Sequence, residues 1–403
     1  MPKILNERIL SLSLRSATLG GKFLLIFFLA KFLSAEEVGL YGLLATTSSY
    51  LLFVVGLDFY TYSTRDILFR PEEKWGSYIK SQLLFYVTMY IASIPIFLCV
   101  FYYKLLPWYL APWLYLITIL EHIAQELNRF LVVIGRPMSA NIVLFFRSGI
   151  WCVIAIPVLS LSEEIRNLNT ILTLWTIGGI SAIAFGIKDI KTNKHISLKG
   201  KIEFQWILKG LKTAIPLLIG TLFLRAIFTL DKYWFESLNS LEILAAYILF
   251  FNLSNALQSF LDASVFIHSY PKLIKQKNNA VEFKKESKKL LKQTLVVIII
   301  FSLLSAASLP IIVKIIDNPN YTNNTQLFYV LLIAVSLFCL SMVPHFILYS
   351  KNKDKIIIKS HSYAFFIFII SSYILSLYTD KFAIPIGLCI TFSYLTVYKY
   401  SKT

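Results

Sequence analysis

Charged residues are scarce in this sequence. Only 15% of its 403 residues are charged and 57% are hydrophobic, whereas soluble domains carry roughly 25% charged residues. This scarcity excludes an ordinary soluble domain of this size. The charges that are present occur in short runs, and the apolar stretches between them are about 20 residues long, the length that an α-helix needs to cross a bilayer. The composition therefore predicts an integral membrane protein.

Motifs for enzymatic chemistry are also lacking. There is no GxxxxGK[ST] motif, so the chain has no P-loop of its own and any transport would be secondary. No HExxH pattern is present, and we expect no metal or other cofactor. The four cysteines lack CxxC spacing and are interpreted as small apolar residues. The predicted loops on the side opposite the termini are short and leave no room for a catalytic domain, so we expect no enzyme.

The apolar stretches predict helices rather than a β-barrel. Leu295–Val313 carries no charge and lacks the two-residue alternation that barrel strands show. We therefore predict an all-α integral membrane protein with about 12 transmembrane helices. These lie near residues 10–33, 38–62, 78–101, 110–134, 140–161, 170–188, 207–233, 243–268, 294–316, 325–349, 358–378 and 382–398.

The distribution of basic residues predicts the orientation. The net charge is +17, and the lysines and arginines lie mainly in alternate loops. The segments on the side of the termini hold 28 of them and the opposite segments hold 6. Basic residues concentrate in cytoplasmic loops, so both termini are predicted to be cytoplasmic. The positive charge then reflects topology, and no nucleic-acid partner is expected.

The first long basic loop divides the chain into two groups of six spans. We predict an N-terminal lobe at 1–190, a basic cytoplasmic linker at 191–206 and a C-terminal lobe at 207–403. Similar features recur with nearly the same spacing in the second and eighth spans: Glu36, Tyr41 and Asp58, and Glu242, Tyr247 and Asp262. Duplicated halves are common in transporters, and six spans per half give both halves the same orientation, with a substrate path expected between them.

Cations within the predicted spans indicate a binding site. An ionisable residue at this depth costs about 2.5 to 3.5 kcal/mol on insertion scales, so its presence requires a function or a partner. Arg15 and Lys22 are seven residues apart and share one helix face. Cations that line a path attract anions, and one arginine guanidinium can bind two phosphate oxygens at the same time. The predicted substrate-binding cations are Arg15, Lys22, Arg147 and Arg225.

Acids and their neighbours form a second group of candidates. The densest polar cluster lies in the fourth span, where it gives the helix a broad polar face. Two interpretations remain open: the residues form structural ion pairs, such as Glu126 with Arg129, or they take part in coupling or gating. The candidates for coupling or gating are Asp58, Glu121, His122, Glu126, Arg129 and Asp262. His268 and His345 are expected to have ordinary interfacial roles, with proton coupling as the alternative.

The stretch RSATLGGKFLLIFFLAKFLSAEEVGLYGLLATTSSYLLFVVGLDF resembles the opening of polysaccharide-export flippases, the O-antigen (Wzx-type) branch of the multidrug/oligosaccharidyl-lipid/polysaccharide (MOP) exporter superfamily. The pieces EHIAQELNRFLVVIGRP and SANIVLFFRSGIW, and the region from Arg225 to Asp231 and Lys232, are similar to that family as well. The resemblance implies a MATE-like fold of two six-helix lobes. It assigns Arg15, Lys22 and Arg225 to the cavity, whereas Arg147 is added from the residues alone.

The same resemblance implies a function and partners. Such flippases move undecaprenyl-diphosphate-linked oligosaccharide across the bacterial cytoplasmic (inner) membrane by alternating access. Expected partners are the lipid-linked oligosaccharide, membrane lipids, and the polysaccharide polymerase and chain-length machinery, with coupling to H⁺ or Na⁺ left open. The alternatives are a MATE-like small-molecule exporter, a membrane glycosyltransferase or polymerase, and a non-catalytic scaffold. A cation exporter should present acids to its cavity, whereas cations predominate here.

Overall fold

The computed structural model describes residues 2–193 and 200–403, and over these ranges the regular structure is entirely helical. Part of the predicted linker 191–206, residues 194–199, lies outside the described residues. The helices are α1 Pro2–Phe32, α2 Ala35–Gly56, α3 Tyr60–Leu68, α4 Trp75–Tyr102, α5 Ala111–Val133, α6 Pro137–Phe145, α7 Trp151–Leu161, α8 Leu168–Asn193, α9 Phe204–Leu238, α10 Leu241–Leu261, α11 Ile267–Gln276, α12 Ala280–Ile316, α13 Pro319–Asn323, α14 Gln326–Ser350, α15 Asp354–Ser376 and α16 Asp380–Tyr400.

The long helices confirm the all-α membrane fold. Within the described ranges, ten helical segments are long and apolar enough to cross a membrane, and α9, which bends by 51° near Pro216, brings the number to eleven. The remaining predicted span coincides with α5, a helix of 23 residues. Its many polar residues, among them Glu121, Glu126 and Arg129, make it less apolar than the other long helices. A polar face on a helix of this length must lie against protein or water.

One compact unit comprises Met1–Phe28 and Leu43–Ile219. Its aromatic core is formed by rings from α3, α4 and the start of α9. The Phe59 ring lies 4.8 Å from Phe85 and 5.2 Å from Trp206 between centroids. Just before α3 the chain takes left-handed backbone angles at Leu57 (φ 45°) and Asp58 (φ 50°), which end α2 and turn the chain into α3.

The second compact unit comprises Leu29–Gly42 and Gly220–Thr403. In its interior α16 packs on α14, where the Thr396 hydroxyl donates to the Leu337 carbonyl at 3.1 Å. Close packing of α2 on α10 depends on Gly42, because a Cβ there would lie 2.8 Å from Ile248 Cγ1. This glycine therefore sets the approach of the two helices.

Two lysines at the ends of predicted spans are buried in helices: Lys232 lies inside the predicted span 207–233, and Lys399 lies just beyond the predicted span 382–398. Lys232 lies within α9 and is 5% exposed, and Lys399 lies within α16 and is 1% exposed. The apolar run ends before Lys399, which is why hydropathy places this lysine beyond the last span. The bias of basic residues between alternate loops is unaffected, because one lysine is removed from each side.

Candidate functional site

Two glycines, Gly21 and Gly149, allow α1 to pack closely against the segment that joins α6 to α7. A Cβ at Gly21 would lie 3.2 Å from the Gly149 carbonyl oxygen and 3.1 Å from Val153. A Cβ at Gly149 would lie 3.0 Å from the Thr18 hydroxyl. Small residues let helix backbones approach closely within a bilayer. The side chain of Lys22, next to Gly21, is thereby held near this segment.

Arg147 lies on a short π-helical segment, Phe146–Ile150, between α6 and α7. Such segments insert a residue into an α-helix and are frequent at functional sites. The Trp151 indole donates to the Arg147 carbonyl at 2.9 Å and satisfies a backbone acceptor in this irregular turn. The π-helical turn therefore fixes where the Arg147 side chain projects.

Glu121 on α5 pairs with Arg147, so the acid that meets Arg147 comes from a different helix. The Arg147 Nε lies 3.3 Å from a Glu121 carboxylate oxygen, and both side chains are largely buried. The other carboxylate oxygen accepts from the Trp175 indole at 2.7 Å. Trp175 also stacks on Trp151, with centroids 5.5 Å apart. Glu121 is thus held by donors from two directions.

The charge of this cluster, Lys22, Glu121 and Arg147, is positive. Lys22 interacts electrostatically with both Arg147 and Glu121, and the residue as a whole is exposed although protein atoms surround its ammonium group. Arg147 uses Nε for the ion pair and for a 3.3 Å contact with the Ser148 hydroxyl. In the part of the chain that the structure describes, neither terminal guanidinium nitrogen of Arg147 has a hydrogen-bond acceptor. Two cations against one carboxylate leave donors for an anion.

Arg15 extends this positive surface along α1. Its side chain is exposed, and its Nε donates to the Asn141 side-chain oxygen at 2.8 Å. The Asn141 amide in turn donates to Ser11. Seven residues of helix separate Arg15 from Lys22 by about 10 Å along one face. The first unit therefore brings together three of the four predicted cavity cations, Arg15, Lys22 and Arg147.

A second polar cluster lies on the neighbouring stripe of α5. The Glu126 carboxylate lies 2.5 Å from Arg129 Nη1 and accepts from Tyr86 at 2.6 Å and from Gln82 at 3.1 Å. The Arg129 guanidinium lies over the Tyr60 ring at 3.3 Å. Among the two interpretations from sequence, this geometry favours the structural ion pair, because every member already has a partner.

His122 and Asp58 line a cavity of about 30 Å³ next to that pair. Its other walls include Gly56, Gln125 and Arg129. The Tyr90 hydroxyl is 2.8 Å from His122 Nδ1. A Cβ at Gly56 would lie 2.6 Å from His122 Nε2, so only glycine lets the ring occupy this place. A cavity of this size holds about one water molecule.

The remaining candidates lie in the second unit. Arg225 is exposed on α9, and Asp262 is exposed at the first residue of a second π-helical segment, Asp262–Phe266. Asp58 and Asp262, paired by the sequence repeat, thus both lie at a break in a long helix. Within the described ranges, no three histidine, cysteine or acidic side chains are grouped so as to hold a metal ion.

Sequence reasoning missed a buried ion pair in the second unit. Asp231 is fully buried, and Lys232 Nζ lies 3.1 Å from its carboxylate. The Tyr247 hydroxyl donates to the same carboxylate at 2.7 Å. Lys232 Nζ also donates to the Phe228 carbonyl at 2.8 Å and lies 4.4 Å from the centre of the Phe251 ring. The adjacent letters Asp-Lys in an otherwise apolar helix are the signal that could have identified the pair.

Solved transporters share this fold. No protein-family model matches the sequence, and no curated protein matches it. An inward-facing multidrug resistance MATE family transporter of the MOP superfamily is 12% identical, with a TM-score of 0.77 over 98% of this chain and 96% of that one. The outward-facing conformation of such a transporter is also 12% identical, with a TM-score of 0.61 over 98% and 92%.

A third similar structure is a MOP superfamily transporter from Pyrococcus furiosus Vc1. It is 11% identical, with a TM-score of 0.57 over 98% of this chain and 93% of that one, and it is described as having a binding pocket of reverse polarity that suggests a different function. At these identities the likeness establishes the fold. The chain is a multi-pass membrane protein with the MATE/MOP transporter fold.

Proposed function

We propose that this protein is a flippase that moves polyprenyl-diphosphate-linked oligosaccharide, such as an O-antigen repeat unit, across the bacterial inner membrane by alternating access. The observation that carries the proposal is the positive surface of the first unit. Arg15 and Lys22 are exposed on one face of α1, and Arg147 has terminal nitrogens without an acceptor among the described residues. A diphosphate presents several oxygens to donors of this kind.

The energetics of the bilayer support an anionic ligand. Each cation at this depth is costly unless it has a partner. Glu121 compensates one of the two charges of Lys22 and Arg147, so the cluster keeps a positive charge. A lipid diphosphate would balance it while its polyprenyl tail remains in the hydrocarbon, and the saccharide would occupy an aqueous cavity.

The fold supports secondary transport, but it does not distinguish a lipid-linked oligosaccharide from a small molecule as the substrate. The multidrug MATE transporters with this fold make a small-molecule exporter the second candidate function. The reverse polarity described for the Pyrococcus furiosus transporter supports the view that MOP-fold pockets differ in charge. Cations around Lys22 favour an anion over a cationic drug. The expected partners remain the lipid-linked substrate, membrane lipids, and the polymerase and chain-length machinery.

The first test removes the cations in cells. The variant Arg15→Ala/Lys22→Ala/Arg147→Ala is expected to lose surface polysaccharide while reaching the membrane at the wild-type level, because the headgroup would no longer be bound. Immunoblots of membranes and of polysaccharide measure the two quantities. Lys31→Ala, which removes an exposed cation at the end of α1, is the matched control and should leave polysaccharide unchanged. Normal polysaccharide in the triple variant would contradict the assignment.

A further inference from the structure

A group of lysines precedes the apolar part of α12, the helix Ala280–Ile316 of the second unit. Its 37 residues make a helix about 55 Å long, whereas the hydrocarbon of a bilayer is about 30 Å thick. Residues 293–313 carry no charge, so this stretch is the part that spans the hydrocarbon. The residues before it extend beyond the hydrocarbon. They carry the lysine face, which consists of Lys284, Lys285, Lys288, Lys289 and Lys292.

The lysine face points away from the protein. All five lysines are exposed, and at 3.6 residues per turn they fall within a sector of about 140° around the helix. Phe283, Leu290 and Thr294 lie on the opposite side of α12 and are buried. On that side Lys351 Nζ, just after α14, lies 5.2 Å from the centre of the Phe283 ring. The packed side and the lysine face of α12 are therefore separate surfaces.

The lysine face continues the surface that α12 presents to lipid. In the fully described stretch 295–313, no exposed residue has a polar side chain, and Leu303 is 68% exposed. Such a surface faces hydrocarbon, because it offers nothing that water can bond. Leu295, Val296 and Ile299 lie within the same angular sector as the lysines. One side of the helix thus changes from apolar to basic where the hydrocarbon ends.

The lysines lie at the depth of lipid headgroups. At 1.5 Å per residue, Lys292 lies at the edge of the hydrocarbon, Lys288 and Lys289 about 5 Å beyond it, and Lys284 and Lys285 about 11 Å beyond it. The headgroup layer is about 5 to 8 Å thick on each side of a bilayer. Lysine side chains also extend along a surface to bring the ammonium group to charges. All five ammonium groups can therefore reach headgroup phosphates.

Acids of the same segment do not balance this charge. Residues 280–292 contain two acids, Glu282 and Glu286, against the five lysines. Glu282 lies 3.8 Å from Lys285 Nζ, and this is the one ion pair that the described residues provide to the lysine face. Lys351, on the packed side of Phe283, adds a further positive charge. The face therefore attracts anions from outside the protein.

We infer that the lysine face of α12 binds anionic phospholipid headgroups of the leaflet at this end of the helix. Lysine is a compact, strongly hydrated charge on a flexible stem, which suits loose contacts with a fluid headgroup layer, whereas arginine suits fixed bidentate contacts. The predicted orientation places this end of α12 in the cytoplasm, and the negative surface potential of a cytoplasmic leaflet attracts basic segments next to a span. Binding here is independent of the transported substrate.

Lipid-specific quenching at one position tests the site. A fluorophore is attached to Val296→Cys in a chain in which the exposed Cys99 and the partly buried Cys389 are replaced by serine. Ile311→Cys, near the opposite end of the same apolar surface, is the matched control position, and the two residues are 46% and 62% exposed. The protein is placed in phosphatidylcholine vesicles that contain nitroxide-labelled phosphatidylglycerol or nitroxide-labelled phosphatidylcholine.

Quenching gives the preference for phosphatidylglycerol over phosphatidylcholine at each position. We expect a preference of at least about tenfold at Val296 and no more than about fivefold at Ile311, where Lys314 is close in sequence, because one lysine near a membrane surface contributes about fivefold. High salt should weaken the preference at Val296. Changing all five lysines of the face to glutamine should abolish it, whereas changing all five to arginine should preserve it.

Single substitutions test the depth of the lysines. Lys292→Gln should lower the preference at Val296 more than Lys284→Gln, because Lys292 lies at the edge of the hydrocarbon. If the five-glutamine variant fails to fold, a lowered preference in Lys292→Gln supports the site and an unchanged one overturns it. An unchanged preference in a folded five-glutamine variant, or equal preferences at Val296 and Ile311, would also overturn the site and leave the face to water or to an acidic protein partner.

Discussion

The buried charges of the two compact units are balanced in different ways. In the first unit the carboxylates have bonded partners: Glu121 has Arg147 and Trp175, and Glu126 has Arg129. In the second unit Asp231 is matched by Lys232, whereas the buried Lys399 forms no ion pair with any of the residues that the structure describes. Within the first unit the same distinction applies to Arg147, whose terminal nitrogens have no acceptor among the described residues although its Nε is paired with Glu121. Where bonding is complete the charge holds helices together, and where donors or lone pairs are left over a ligand can complete the set.

Breaking the Asp231–Lys232 ion pair of the second unit should have the largest effect, which is a loss of folding stability. Lys232→Met leaves the Asp231 carboxylate buried without its cation and should lower the free energy of unfolding by about 3 to 5 kcal/mol. Thermal unfolding in detergent measures the loss. The control Lys314→Met changes an exposed lysine at the end of α12 and should be neutral. Wild-type stability of Lys232→Met would show that the pair is not structural.

Removing the Glu121 carboxylate of the first unit should strengthen ligand binding. In free energy this gain should be smaller than the loss of stability in Lys232→Met. Glu121→Gln keeps an acceptor for the Trp175 indole but releases Arg147 and raises the net charge around Lys22. We expect roughly three- to tenfold tighter binding of a polyprenyl diphosphate, because one compensating charge is lost. Isothermal calorimetry on purified protein measures the change. Weaker binding would mean that Glu121 positions Arg147 rather than competing with the ligand.

The smallest expected effect concerns Asp66, in α3 and outside the membrane-spanning helices. Burial raises the pKa of its carboxyl, but hydrogen bonds from Arg70 at 3.0 Å and from the Trp206 indole at 2.8 Å outweigh burial and hold that pKa below its ordinary value. Because the unfolded carboxyl has the higher pKa, the stabilisation is present above about pH 4 and is lost as the pH falls through the folded value.

Asp66→Asn should therefore remove this acid dependence and cost about 1 kcal/mol or less at neutral pH. Unfolding measured between pH 3 and pH 7 checks it, with Glu73→Gln at an exposed site as the control. If the stability of Asp66→Asn still fell at acidic pH as the wild type does, groups other than Asp66 would be responsible for the loss of stability in acid.

Hydropathy and charge were sufficient to predict where the long helices lie in the sequence, because both are properties of continuous segments. They also identified Lys22 and Arg147 as costly residues in need of a partner. What they could not provide was the partner, since Glu121 is distant from Arg147 in sequence and meets it only through helix packing. The π-helical turn at Arg147 has no local sequence signature either.

The most direct measurement of the central claim compares ligands rather than variants alone. Purified protein is titrated with farnesyl diphosphate, farnesyl monophosphate and a cationic dye of similar size, and the series is repeated with Arg15→Ala/Lys22→Ala/Arg147→Ala. We expect the diphosphate to bind at least about tenfold more tightly than the other two, and the triple variant to lose that preference. Tighter binding of the dye, or a preference for diphosphate that survives the triple variant, would contradict an anion-binding surface at these residues.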